Sequence, residues 1–156
     1  MQVQTPRYDR NSLTAGIVHI GLGNFHRAHM AVYLDDLFSL GLGHDWAIIG
    51  AGVRPPDAAM RDALLAQDCL STVIELDPLG RSCRRIGSMI DFLPVEPGNA
   101  SLIAAMTRPE IRIVSLTVTE GGYYVDENGV FPLDHPVIAE DLKRDVPHTV
   151  FGLLTE

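Results

Sequence analysis

Lysine is almost missing from this chain: among 156 residues there is one, Lys143. Basic residues are outnumbered, 12 Lys and Arg against 20 Asp and Glu, for a net charge of −8. A nucleic-acid partner needs clustered positive charge to displace counterions from phosphates, so that class is excluded. The local basic cluster Arg81, Arg84 and Arg85 reads as a solvated strand face or turn. Cysteine is scarce too. Cys69 and Cys83 are too few for a disulfide scaffold and form no CxxC pair, so they read as two reduced thiols packed as small hydrophobes. No run of about 18 apolar residues exists to cross a bilayer. The opening Met1-Gln2-Val3-Gln4-Thr5-Pro6 lacks the basic and apolar regions of a signal peptide. The expectation is a cytoplasmic protein with no membrane partner.

What is present is ordinary globular material, 46% hydrophobic and 21% charged, enough for one domain with a real core. Residues 1–15 are polar and read as an arm leading into a domain over 16–156. Gly16-Ile17-Val18-His19-Ile20 is a short β-branched run suited to a buried parallel strand. A glycine turn follows, then a helical pattern with Ala28, Ala31, Leu34 and Phe38 on one face, ending near Gly41 and Gly43. Trp46-Ala47-Ile48-Ile49-Gly50 predicts a second strand, and Arg54-Pro55-Pro56-Asp57 opens a second helix through about position 67. Segments 71–76 and 83–90 flank Asp77-Pro78-Leu79-Gly80 and predict a hairpin. A short helix over 101–107, a strand over 111–118 and a helix over 136–144 complete the pattern. Strand, glycine turn, helix, strand, helix is a βαβ unit. The fold class is therefore α/β, a Rossmann-type parallel sheet with an added β-hairpin. The second half of the doubly wound fold is incomplete.

Gly21-Leu22-Gly23-Asn24-Phe25-His26 has the first two glycines of GxGxxG and lacks the third. Gly21 allows the tight turn, and Gly23 lets the backbone approach a pyrophosphate at a helix N-terminus. The competing reading is a strand-to-helix turn that needs glycine for conformation alone. His26 in the third slot keeps helix and strand from packing as closely as the usual fingerprint allows.

Extended to Gly21-Leu22-Gly23-Asn24-Phe25-His26-Arg27-Ala28-His29, the loop resembles the nucleotide-binding loop of the mannitol dehydrogenase family of long-chain polyol dehydrogenases, which includes fructuronate and tagaturonate reductases. Gly50-Ala51-Gly52-Val53-Arg54, Asp57, Ala66-Gln67-Asp68, Ile86-Gly87-Ser88 and the stretch from Ile113 through Thr119-Glu120-Gly121-Gly122-Tyr123 agree in order and spacing. The resemblance runs from about Gly16 to the last residue. It implies NAD-dependent oxidation of a secondary alcohol to a ketone without metal, as in interconversion of a mannitol-like polyol or an aldonate with its keto form. It also implies a C-terminal substrate domain that supplies a lysine base and an Asn/His set. These 156 residues lack that domain, so no catalytic residue is assigned. Alone the chain is expected to be inactive, and a polyol or keto-sugar would be taken only with the missing domain. Lys143, within Asp141-Leu142-Lys143-Arg144-Asp145, reads as a solvated helix end.

The cofactor candidates are Gly21, Gly23, Asn24, Phe25 and Arg27 in the loop, and Arg54 and Asp57 beyond the second strand. An acid after the second strand usually binds the adenosine ribose about 20 residues past the glycines. Asp57 stands 34 residues after Gly23, too far for that rule. By resemblance it takes the family's acidic position favouring NAD over NADP. The alternative is a first-turn Asp complementing the helix dipole. Arg54 is a candidate to lie over the adenine or meet a 2′-phosphate, with a salt-bridging surface Arg as the alternative. Open α/β sheets bind ligands at the carboxyl ends of their strands, which adds Thr117, Val118 and Glu120 near the nicotinamide ribose. His19 reads as a buried, hydrogen-bonded core residue. His26 and His29 have helical spacing but no third ligand, so a packing or loop role is expected rather than a metal site. His44, His135 and His148 carry no signal. Tyr123 and Tyr124 lack a lysine four residues on, which removes a Tyr/Lys base pair. Two functions remain: the NAD-binding domain of a polyol or sugar-acid dehydrogenase, or a catalytically inactive dinucleotide-binding or structural module. In either case an unpaired sheet edge favours self-association.

Overall fold

The computed structural model describes residues 3–117 and 120–156. Four parallel strands form the central sheet: β1 (Ala15–Ile20), β2 (Ala47–Ala51), β5 (Met89–Phe92) and β6 (Ile113–Leu116). Their spatial order is β5-β2-β1-β6. The chain steps outward from β1 to β2 to β5, then returns to pair β6 on the other side of β1, with Ile17 beside Ile113 and Ile20 beside Leu116. That reversal is the topological switch point of a doubly wound fold, where ligands bind beyond the strand ends. The strands read as unbroken apolar runs because both faces are covered. On one face Ile17 and Ile48 pack with Ala31, Val32 and Leu64. On the other, Val18, Ile20, Ile49 and Ala51 pack with Leu102, Ala105 and Leu153.

The first face is covered by α1 (Asn24–Ala28), α2 (Met30–Ser39) and α3 (Asp57–Leu65), the second by α4 (Ala100–Met106) and the terminal α6 (Val150–Thr155). A further short helix, α5 (Pro136–Asp141), precedes α6. The hairpin is a separate two-stranded antiparallel sheet, β3 (Ser71–Asp77) and β4 (Gly80–Ile86), closed where Asp77 faces Gly80. The start of the chain is docked onto it. Gln4 donates to the Cys83 carbonyl at 3.0 Å and accepts from Arg85 N–H at 2.8 Å, while Tyr8 packs edge-on against Phe38.

Several expectations change. The apolar run 83–90 is two strands, since β4 stops at Ile86 and the third parallel strand β5 starts at Met89. The break at Gly87-Ser88 is fixed from a distance. Asp35 Oδ1 accepts Gly87 N–H at 2.8 Å, Arg10 Nε donates to the Gly87 carbonyl at 3.0 Å, and Ser88 Oγ donates to the Ala31 carbonyl at 2.6 Å. The helix after the glycine turn is likewise two, broken at His29 (φ −124°, ψ −86°), and Ala28 falls on the exposed side. Arg84 is not solvated: it is half-buried and pairs with Asp36 of α2, unlike the exposed Arg81 and Arg85. The helix expected over 136–144 is also shorter than its pattern, and α6, for which no helix was expected, follows it. In particular α5 ends at Asp141, whose carboxylate accepts the N–H groups of His148 and Thr149 and starts the next helix.

Candidate functional site

At the carboxyl end of β1 the chain turns through Gly21, Leu22 and Gly23 into α1. Gly21 has φ +93°, and a Cβ there would lie 2.5 Å from the Thr117 carbonyl oxygen, so only glycine fits between the ends of β1 and β6. Its N–H donates to the Ala51 carbonyl at 3.0 Å, and its own carbonyl accepts Gly23 N–H at 2.9 Å. Gly23 is different in kind. It has φ −68° and ψ 177°, which any residue adopts, and a Cβ there would meet nothing within 4 Å. The fold does not need glycine at this position; what it leaves is an open cradle over the first turn of α1.

This loop forms one wall of a cleft of about 410 Å³ at the switch point. Gly21 and Gly23 line it, as do Arg54, Asp57 and Thr117. Asp57 stands in the first turn of α3, where a carboxylate complements the helix dipole. Its Oδ2 accepts Arg54 N–H at 3.0 Å and its Oδ1 meets Arg54 Nη2 at 3.3 Å. Asp57 therefore serves the helix start and lines the cleft as well. Arg54 pairs with Asp57 while its side chain stays 76% exposed, so it too keeps both of its readings.

The other loop residues lie at the rim rather than in the cleft. Arg27 Nη2 donates to Asn24 Oδ1 at 2.7 Å. Phe25 is 67% exposed and stacks on His29, whose Nδ1 donates to the Phe25 carbonyl at 2.8 Å. His26 points the opposite way, 1% exposed, with its ring 3.6 Å from that of His19. The two loop histidines therefore do not converge, and the described residues contain no cluster of three His, Cys, Asp or Glu able to hold a metal. His19 is the buried, hydrogen-bonded residue its strand position implies. Desolvation lowers its pKa to about 4, and desolvation reinforced by His19 and Arg27 lowers that of His26 to about 3. Val118 lies outside the described residues; Glu120 falls in a 3-10 turn, Glu120–Tyr123, directly after them.

Four further cleft residues were not foreseen. His148, Thr149 and Val150 line it from the start of α6, and Tyr124 closes it from the loop before α5. The α6 start is held there by Asp141, a buried carboxylate that accepts from Thr149 Oγ1 at 2.6 Å and from the His148 and Thr149 N–H groups. Those hydrogen bonds hold its pKa down against burial, which alone would raise it. A carboxylate eight residues upstream of the Thr it holds gives no periodic signal in sequence. Lys143 is exposed and does not line the cleft.

Residues 15–156 match the family described as the mannitol dehydrogenase Rossmann domain. The chain is 67% identical over 153 residues to a mannitol 2-dehydrogenase of Cereibacter sphaeroides, covering 97% of this chain and 32% of that protein. It is 47% identical over 154 residues to a mannitol 2-dehydrogenase of Phaeosphaeria nodorum, covering 97% of this chain and 27% of that one. Among solved structures it superposes on the Pseudomonas fluorescens mannitol 2-dehydrogenase ternary complex with NAD and D-mannitol, with a TM-score of 0.91 and 46% identity over 97% of this chain and 32% of that chain. A substrate-free D-sorbitol dehydrogenase gives a TM-score of 0.88 and 38% identity, with the same coverage. The chain thus spans about a third of the length of the relatives it matches.

Proposed function

Because this chain belongs to the mannitol dehydrogenase family as its Rossmann domain, we propose that it binds NAD(H) in the cleft at the β1/β6 switch point and presents it for hydride exchange with a polyol. The observation that carries the reading is the open cradle at Gly23 beside Asp57. A glycine that the fold does not require, set over a helix start, suits a pyrophosphate. A second cavity of about 510 Å³ shares Val53 and His148 with the first and offers a place for the adenine end.

In this reading the loop N–H groups of Asn24 and Phe25 hold the pyrophosphate over the open cradle at Gly23, with Arg27 adding positive charge at the rim. Asp57 accepts from the adenosine ribose hydroxyls and repels a 2′-phosphate, which favours NAD over NADP. Thr117, Val118 and Glu120 stand by the nicotinamide ribose. The nicotinamide ring, when bound, accepts or returns the hydride. The alcohol also needs a proton acceptor, and Lys143, exposed and outside the cleft, is not one. We assign that base, and the substrate contacts, to residues other than 1–156, so the parent activity is polyol oxidation and the 156-residue chain by itself is a cofactor-binding unit. Mannitol is the favoured polyol, on the names of the relatives that are 67% and 47% identical to this chain. Two further proposals accompany this one. Both cysteines are free and buried, which supports a reducing, cytoplasmic location. Among the described residues β6 has a strand neighbour on one side only, which supports self-association through that edge. Calorimetric titration with NADH and NADPH tests the central claim. NADH binding that exceeds NADPH binding is the expected result, and absence of NADH binding overturns it.

A further inference from the structure

His19 stands on the face of β1 that α1 covers, and its ring reaches across to the end of β6. Nδ1 lies 2.8 Å from Ser115 Oγ, and Nε2 lies 3.0 Å from Thr117 Oγ1 and 3.3 Å from the Gly21 carbonyl oxygen. Thr117 Oγ1 is in turn 2.5 Å from that same carbonyl. These groups admit a single assignment of protons. A carbonyl oxygen only accepts, so the one hydroxyl proton of Thr117 points at Gly21. Thr117 can then only accept from Nε2, so Nε2 carries the ring proton. Burial keeps the ring neutral, so Nδ1 is bare and accepts from Ser115. The result is a directed chain, Ser115 to His19 to Thr117 to Gly21, that crosses the switch point from β6 to the glycine loop.

His26 completes the arrangement. Its ring lies nearly parallel to that of His19, and neither of its nitrogens has a hydrogen-bond partner. It occupies the third-glycine slot of the fingerprint and shields the face of His19 from water. The Gly21 carbonyl also accepts Gly23 N–H, so it is fully engaged with internal donors. Were that carbonyl free to turn into the cleft, its lone pairs would oppose the oxygens of a phosphate, which accept as well.

We propose that His19, as its Nε2–H tautomer, is a positioning residue for a dinucleotide pyrophosphate: through Thr117 it holds the Gly21 carbonyl out of the cleft, leaving the loop to present N–H groups alone. This rests on the reading of the cleft as a dinucleotide site. It also fixes what Thr117 can do. Its hydroxyl proton is committed to Gly21, so Thr117 offers no hydrogen-bond donor to a ligand.

Two measurements on the 156-residue chain test it. With histidine nitrogens isotopically labelled, the His19 signal is identified by its loss in His19→Gln. A protonated Nε2 and a bare Nδ1 at neutral pH are expected, and the opposite tautomer overturns the assignment. In titrations with NADH, Thr117→Ser keeps the chain and binds more tightly than Thr117→Val. Thr117→Val breaks two hydrogen bonds without changing shape and binds about tenfold more weakly. His19→Gln retains a donor toward Thr117 and falls between His19→Leu and the unmodified protein. Should His19→Leu fail to fold, the Thr117 pair decides. If the unmodified chain binds NADH and Thr117→Val binds it equally well, the positioning role is wrong while the dinucleotide reading stands. If the unmodified chain does not bind NADH, both fall.

Discussion

The backbone N–H of Arg54 donates to Asp57 Oδ2 at 3.0 Å, a bond that closes the turn between β2 and α3 and aims the carboxylate into the cleft. One lone pair on each oxygen is engaged with Arg54, and the others remain for a ligand.

Asp57→Ala therefore removes both the ribose acceptor and the repulsion of a 2′-phosphate. A charge-assisted hydrogen bond contributes about 1.5–3 kcal/mol, so the preference for NADH over NADPH should shrink by roughly tenfold or more. The ratio of dissociation constants from paired titrations checks this. An unchanged ratio would assign Asp57 to the helix start alone.

The two loop glycines should respond in opposite ways. Gly23→Val meets no atom of the protein and should leave the melting temperature nearly unchanged while abolishing NADH binding. Gly21→Ala forces a left-handed φ on a residue with a Cβ and presses it against Thr117. Strain of this kind costs about 1–3 kcal/mol, so the melting temperature should fall by several degrees. Circular dichroism melts alongside titration separate the two effects.

Acid should weaken the fold through the stacked histidines. The folded-state values of about 4 for His19 and about 3 for His26 lie below the ordinary 6.5. Above pH 6.5 both rings are neutral in either state. As pH falls below it, the unfolded chain takes up protons that the folded chain refuses, and stability drops until the folded values are reached. Each ring contributes up to about 1.4 kcal/mol per pH unit in that window. Urea midpoints at neutral pH and near pH 5 measure the slope, and His26→Phe, which keeps a ring on His19, should make it shallower. An identical slope in that variant would remove the pair as its cause.

The purified 156-residue chain should form no NADH from NAD and mannitol beyond a Gly23→Val control. Lys143 is exposed at the end of α5, away from the cleft, and no other lysine exists in the sequence. General acid–base catalysis is worth about 10²–10⁴-fold and substrate positioning adds to that. Absorbance at the reduced nicotinamide band decides it, and turnover above the control would place a base within these residues.

Much of this was legible in sequence because it is local. The β-branched runs of β1 and β2, the glycine turn and the proline-led start of α3 each state their structure within a few residues. The run from Cys83 to Ile90 misleads because its break depends on Arg10, Ala31 and Asp35, which lie far away in sequence. The helix after Gly23 misleads for a related reason: burying His26 against His19 and leaving His29 outside needs a kink that no propensity announces. In the cleft, the glycines and Asp57 were visible as motif residues. His148 and Thr149 were not, since Asp141 recruits the α6 start through tertiary hydrogen bonds. The tautomer of His19 is less legible still, requiring Thr117 and the Gly21 carbonyl to be seen together.

The guanidinium of Arg112 lies 3.5 Å from the centroid of the Trp46 ring, and its Nη1 bonds Asp45 at 2.8 Å. Trp46 and Arg112 immediately precede β2 and β6, while the cleft lies past the other ends of the strands. Five residues of β2 at about 3.3 Å each separate the indole from it by roughly 16 Å. As the only tryptophan of the chain, Trp46 is thus a built-in optical reporter of strand docking. A shift in its emission on denaturation tracks the loss of Arg112 from its face, so β6 attachment can be followed by intrinsic fluorescence with no label and no direct contact between probe and ligand.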